Sequence, residues 1–282
     1  MGRIQPAALD DLAVAPEVDG TVFVWHAARV SLPTHRHREL ELNLVRRGTG
    51  SLLVGEKRYW LRPGVLIWLF PGQDHVLLDP SRDLELWIAV FRPELVERLA
   101  ASGGRGLLDA ADPPGTSSRR VDPAGEVGRR LEALFSEVAE AQGDTEMTNA
   151  GLAFLLMRAW SAFHEQGEDT FLGDVHPAVE RAAMLIRDRP EVARLGDVAT
   201  AAGLSAGRLS RLFRQQLGLS PMEFRDRRRV ERFLELYGDG ARRSVVAAAE
   251  LAGFGSYAQF LRVFRAVTGN TPRAWVRRPP ET

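Results

Sequence analysis

"AGLSAGRLSRLFRQQLGLSP", residues 202–221, and "AGFGSYAQFLRVFRAVTGNTP", residues 252–272, read as one helical unit written twice. In the first copy Ser205 fits an N-cap, where a hydroxyl satisfies an amide that the helix itself leaves unpaired. Leu209, Leu212, Phe213 and Leu217 then recur at helical spacing as one apolar stripe, with Gly207, Ser210, Arg211 and Arg214 on the opposite side. The second copy, with one residue inserted, places Ser256 at the cap. Phe260, Val263, Phe264 and Val267 form its stripe, and Ala258, Leu261, Arg262 and Arg265 its outer face. "LGDVATAAG" and "VVAAAELAG" precede the two copies as short small-residue helices ending in Gly203 and Gly253. Two short helices joined by a glycine turn form a helix-turn-helix, whose second helix enters the DNA major groove. The expected spans are 195–217 and 245–268.

The repetition has a physical purpose. One recognition helix touches only a few base pairs, too few to specify a genomic site. Two of them about one DNA turn (~34 Å) apart can read successive major grooves on one face. "FRDRRRVERFLELY", residues 224–237, is long enough to hold them apart, and Arg225, Arg227, Arg228, Arg229 and Arg232 along it are expected at phosphates. A bundle with solvated arginines explains either copy alone. It does not explain why caps, stripes, arginines and a closing Gly-x-x-Pro agree in both.

The formal net charge of zero conceals a division. From His176 onward 19 arginines face 11 acidic residues, an excess of eight positive charges, and the preceding 175 residues carry the compensating negative charge. This asymmetry predicts two domains, the basic one facing a polyanion. The chain has no cysteine, so disulfides, thiolate metal sites and cysteine nucleophiles are excluded. No run of 18 apolar residues and no signal-peptide pattern is present, so no membrane role is expected and cytoplasm is the expected compartment.

The tail, about 176–278, resembles the AraC/XylS family of transcription regulators, and the "GF…S…F.R.F…G.TP" pattern of the second copy is the specific part. That resemblance implies base contacts in the first turns of each recognition helix. The implied DNA-binding set is Ser205, Gly207, Arg208, Ser210, Arg211 and Arg214, then Ser256, Tyr257, Ala258, Leu261, Arg262 and Arg265. Gly207 and Ala258 depart from it, because neither side chain can hydrogen-bond a base edge. Ala258 and Leu261 suit thymine methyl groups.

The front half reads differently. Short runs rich in Val, Ile, Leu and aromatics, from "TVFVWHA" at 21–27 to "LELWIAVF" at 84–91, alternate with Gly and Pro and predict an antiparallel sandwich or barrel. Within them, "PTHRHRELELNLVRRGTG" and "RPGVLIWLFPGQDHVLL" hold His35, His37, Glu41 and His75. The first three share strand parity, opposite to Leu40, Leu42 and Leu44. Residues 21–91 resemble the two motifs of the cupin barrels, whose metal site then falls on those four residues. Three imidazoles and a carboxylate suit a divalent transition metal such as Zn, Mn, Fe or Ni. The same groups could instead contact a small polar effector without metal, or be structural. Trp25, Trp60, Trp68 and Trp87 are candidates for stacking on an effector such as a sugar, or for the core.

The expected molecule is an α+β, two-domain chain. Residues 1–122 are a cupin-like effector-binding barrel with an N-terminal arm, and 123–166 a helical pair for homodimerisation, its second helix apolar enough to be buried on several sides. Residues 167–175 are a linker, and 176–282 the DNA-binding domain. The expected function is a sequence-specific transcription regulator answering a small-molecule effector, with an operator duplex as partner and RNA polymerase as another if it activates. The alternative is a metal-dependent cupin enzyme, a dioxygenase or isomerase, fused to a DNA-binding domain.

Overall fold

A computed structural model of the chain describes residues 16–27, 37–101, 118–165, 170–191, 193–238 and 243–276. These divide into two compact units between Asp174 and Val175.

Among its described residues the first unit contains nine strands: β1 (Gly20–His26), β2 (Leu40–Arg47), β3 (Gly50–Val54), β4 (Lys57–Leu61), β5 (Val65–Leu69), β6 (His75–Leu77), β7 (Glu85–Phe91), β8 (Ser118–Arg120) and β9 (Phe171–Asp174). They form an antiparallel sheet in the order β1-β7-β2-β5-β8 and a second in the order β6-β3-β4-β9. Its helices are α1 (Pro93–Ala101), α2 (Glu126–Glu140) and α3 (Thr145–Glu165).

Register sorts the side chains of the larger sheet. Glu41 pairs with Leu69 and Val90, and Asn43 with Ile67 and Ile88, so these six share one face. Leu42, Leu44, Trp68 and Trp87 occupy the other, and that face carries the core shared with α2 and α3. Trp87 stacks on Phe135 with ring centroids 5.8 Å apart, and Trp68 meets Trp160 edge-on at 5.3 Å. The helical pair is therefore one layer of this unit, welded to the outer face of the sheet. Only one side of α3 is buried, through Leu152, Leu155, Leu156, Ala159, Trp160 and Phe163. Met147, Phe154 and Met157 on its other side are exposed, which corrects the expectation of burial on more than one side. The stretch read as a linker is corrected too. Phe171–Asp174 adds to the edge of β4, and Phe171 packs on Tyr59 at 5.9 Å.

The second unit is helical: α4 (Pro177–Asp188), α5 (Leu195–Ala201), α6 (Ala206–Leu217), α7 (Pro221–Gly238), α8 (Val245–Leu251), α9 (Tyr257–Thr268) and α10 (Pro272–Val276). Both recognition helices start and stop by the same devices. Ser205 Oγ accepts from the Arg208 amide at 3.3 Å and Ser256 Oγ from the Gln259 amide at 3.2 Å. Each helix closes on a left-handed glycine, Gly218 or Gly269, a conformation that spares the chain a Cβ clash. The 18 residues of α7 span roughly 27 Å. This helix packs against α6, α8 and α9, giving Phe224 to Phe213 of the first helix-turn-helix (5.8 Å) and Phe233 to Phe260 of the second (4.4 Å).

That position corrects the phosphate role expected for two of its arginines. Arg228 and Arg229 are buried. Arg229 donates to the backbone oxygens of Pro190 (2.7 Å) and Glu191 (2.9 Å), while Arg228 pairs with Glu231 and lies over the Phe224 ring. A helix packed on several sides has few positions left for solvent, so part of its charge must be satisfied internally. Arg225 and Arg232 reach the surface paired with Asp226 and Glu235.

The two inter-helix turns differ in packing. Gly203 and Gly253 both have positive φ, +76° and +89°, but a Cβ on Gly253 would lie 2.3 Å from Glu191 Cα, whereas one on Gly203 would meet open space. Gly253→Ala should cost about 2–4 kcal/mol, from left-handed strain plus overpacking, and Gly203→Ala only about 1–2 kcal/mol. Urea unfolding of the two variants would measure the difference. Equal losses would show that the close approach at Gly253 carries no energy.

Candidate functional site

In the first unit, one ligand atom each from His37, Glu41 and His75 lie within 4.8 Å of one another. Glu41 comes from β2, His75 opens β6 in the opposite sheet, and His37 precedes β2. All three side chains are buried or nearly so. His37 Nε2 donates to Glu41 Oε2 at 3.0 Å, and Asn43 Nδ2 donates to Glu41 Oε1 at 2.7 Å. The two rings sit edge to face with centroids 5.6 Å apart.

Each imidazole is oriented by a backbone carbonyl, which can only accept. His37 Nδ1 lies 2.9 Å from the Glu39 oxygen and His75 Nδ1 3.1 Å from the Gln73 oxygen. Both Nδ1 atoms therefore carry a proton, and Nε2 is the inward-facing nitrogen on each ring; on His37 the Nε2 also holds a proton shared with Glu41, which a metal ion would have to displace. This outer anchoring is how metal-ligating histidines are held. Burial works against ionised Glu41 but is outweighed by the His37 hydrogen bond, the charges of His75 and His37 and the Asn43 bond, leaving its pKa at about 2. Burial likewise works against protonated His37, but Glu41 and then Glu39 reverse the sign and raise its pKa. A carboxylate ionised at neutral pH beside two aligned Nε2 atoms is a donor set for a divalent transition metal. Bonds of 2.0–2.2 Å put tetrahedral donors about 3.3–3.5 Å apart, close to the separation already present between His37 and Glu41.

His35 lies outside the described residues. Asn43, which sequence reading passed over, shares the parity of Glu41, and that parity was the available signal. The tryptophans divide. Trp68 and Trp87 face α2 and α3, so of the two alternatives they take the core and not effector stacking. Trp60 is half exposed on β4, on the face opposite to that of His75. Trp25 pairs with Leu86 and so shares the Glu41 face; its buried Nε1 has no hydrogen-bond partner among the described residues, nor has Asn43 Oδ1.

In the second unit, Arg208, Arg211, Arg262 and Arg265 are exposed and enter no ion pair among the described residues. Gly207, Tyr257 and Ala258 are exposed beside them, Ser210 and Leu261 are half-buried, and both capping serines are exposed. Arg214 differs from its counterpart Arg265: it is paired with Glu223 at 2.8 Å.

The AraC-like ligand binding domain family matches residues 17–157, and a helix-turn-helix domain family matches residues 198–278. The chain belongs to the AraC family of transcription regulators. It is a DNA-binding regulator with a ligand-binding N-terminal domain. Over 250 residues this AraC-family chain is 27% identical to the arabinose operon regulatory protein of Salmonella typhimurium, covering 82% of this chain and 81% of that one. To the arabinose operon regulatory protein of Escherichia coli K12 it is 28% identical, covering 82% and 78%. ToxT from Vibrio cholerae strain SCE256, in a crystal structure with unsaturated fatty acid bound, aligns with a TM-score of 0.44 and 13% identity over 91% of this chain and 94% of that one. Among the described residues no helix is long and apolar enough to cross a membrane.

Proposed function

We propose that this AraC-family regulator senses its ligand at His37, Glu41 and His75 and reads a DNA operator with the outer faces of α6 and α9. It acts by binding, without turnover, in the cytoplasm where its DNA partner is. The observation that carries this reading is the pair of matched, capped helices, four of whose outward arginines enter no ion pair among the described residues. Arg208, Arg211, Arg262 and Arg265 are thereby available to DNA, with Ser205, Gly207, Ser210, Ser256, Tyr257, Ala258 and Leu261 lining the same faces. RNA polymerase is a further partner if the regulator activates.

The sensing site takes a divalent transition metal, with His37 Nε2, His75 Nε2 and the Glu41 carboxylate as ligands and Asn43 as their support. The two carbonyl-anchored imidazoles support that choice. Zinc titration of purified, chelator-treated protein tests it, and one equivalent bound is the expected result. A second reading, a polyhydroxylated effector such as a sugar taken without metal, is favoured by the unpartnered Trp25 Nε1 and Asn43 Oδ1 and agrees with relatives named for the arabinose operon. Failure of zinc to bind, with a sugar raising the melting temperature, would decide for it.

The regulator is a homodimer through α3. Met147, Ala150, Phe154, Met157 and Ser161 recur at alternating spacings of three and four along its outward side, the seam of a coiled coil. Phe154→Glu should weaken self-association at least tenfold, because it puts a charge where an aromatic ring would be buried. Sedimentation velocity across a concentration series would show this. A variant that dimerises as tightly as the parent would exclude α3 from the interface.

A further inference from the structure

The two recognition helices are built alike and face outward with different chemistry. Counting from the cap serines, Arg208 of α6 corresponds to Gln259 of α9, Ser210 to Leu261 and Arg211 to Arg262. Gln259 is withdrawn from the outer face. Its Oε1 accepts from the Gly255 amide at 3.0 Å while its own amide donates to Ser256 Oγ at 3.2 Å, a reciprocal cap. Arginine cannot accept a hydrogen bond, so Arg208 closes no such box and its guanidinium is left exposed. The first two turns of α6 therefore present two arginines three residues apart, with the Ser210 hydroxyl between them. The same turns of α9 present one arginine, the Tyr257 ring, the Ala258 methyl and the partly buried Leu261 side chain. Neither helix has an acidic residue in its first turn to accept from cytosine.

These sets ask for different bases. Arginine matches guanine O6 and N7 with two parallel hydrogen bonds, whereas alkyl groups match the thymine methyl. We infer that the operator half-site is chemically lopsided, with α6 reading two guanines within about three base pairs and α9 reading one guanine beside thymine. The three-residue step from Arg208 to Arg211 is a rise of roughly 4.5 Å, little more than one base-pair step, which sets the spacing of the guanine pair. This inference rests on the DNA-reading role proposed above and adds the identity of what is read.

The test is selection of bound duplexes from a randomised pool with the full chain in low salt, followed by binding of the selected site with uracil replacing thymine. Uracil lacks only the methyl group. Selected sites should hold two blocks about ten base pairs apart, one with paired guanines and one with guanine and thymine. Uracil in the thymine block should weaken binding about fourfold per contacted methyl, the worth of one buried carbon, and uracil elsewhere should not. Arg208→Ala should lower the guanine preference roughly tenfold at one position of the first block only, and Leu261→Asn should convert a thymine of the second block to adenine. Two blocks of like composition, or a site indifferent to uracil, would overturn this inference while leaving DNA reading intact. A chain that enriches no sequence from the pool would overturn both.

Discussion

Alanine at both Arg211 and Arg262 will leave the chain folded and remove most of its preference for its operator over random DNA. Each arginine stands at the same step from a capping serine, exposed and outside any ion pair among the described residues. Neither supports the fold, so stability should stay within about 0.5 kcal/mol of the parent, as for surface substitutions away from special features. A good base contact is worth about 1–3 kcal/mol of discrimination. The two positions are on separate helices with no shared partner, so their losses should add to about 2–6 kcal/mol. Competition binding with operator and random duplex measures this. Binding to random DNA should fall much less and keep its steep salt dependence, because the rest of the basic second unit still releases counterions from phosphates. An equal loss on both duplexes would assign these arginines to the phosphate backbone and leave base reading to other residues.

His37→Ala combined with His75→Ala will reduce zinc affinity by at least a hundredfold. Losing a residue that only supports a ligand commonly costs ten- to a hundredfold, and this variant removes two direct donors. Asn43→Ala, which touches Glu41 but would not touch the metal, should fall in that smaller range. Zinc-chelator competition gives the affinities, and circular dichroism checks that the first unit remains folded. Unchanged zinc binding in the double variant would remove this cluster from consideration as the metal site. A graded loss, small for Asn43 and large for the histidines, distinguishes a built site from adventitious binding to surface histidines.

Much of this molecule was legible before any coordinates. The recognition helices begin and end where the sequence pattern placed them, since caps, helical periodicity and left-handed glycines act within a few residues of chain. The strands of the first unit follow the apolar runs in the same way. The convergence of His35, His37, Glu41 and His75 was expected from parity and from the cupin resemblance; the structure brings the last three together, and His35 lies outside the described residues.

What only the tertiary structure decided is which face of each element meets what. Periodicity assigns Trp68 and Trp87 to one side of a sheet. It does not say whether that side encloses a ligand or carries helices, and here α2 and α3 cover it. The arginines of α7 look alike as letters. Arg229 is spent on the carbonyls of Pro190 and Glu191, some 40 residues away, a pairing that no local rule contains. On α3 the outward apolar seam is visible only once the sheet has taken the other side. Residues 171–174 read as a linker because four residues hold too little pattern to mark a strand, and the open edge of β4 recruits them. Short-range hydrogen bonding and stereochemistry are written along the chain. The partner of a face, by contrast, depends on segments distant in sequence, and is settled when burial of one side leaves the other to water or to a ligand.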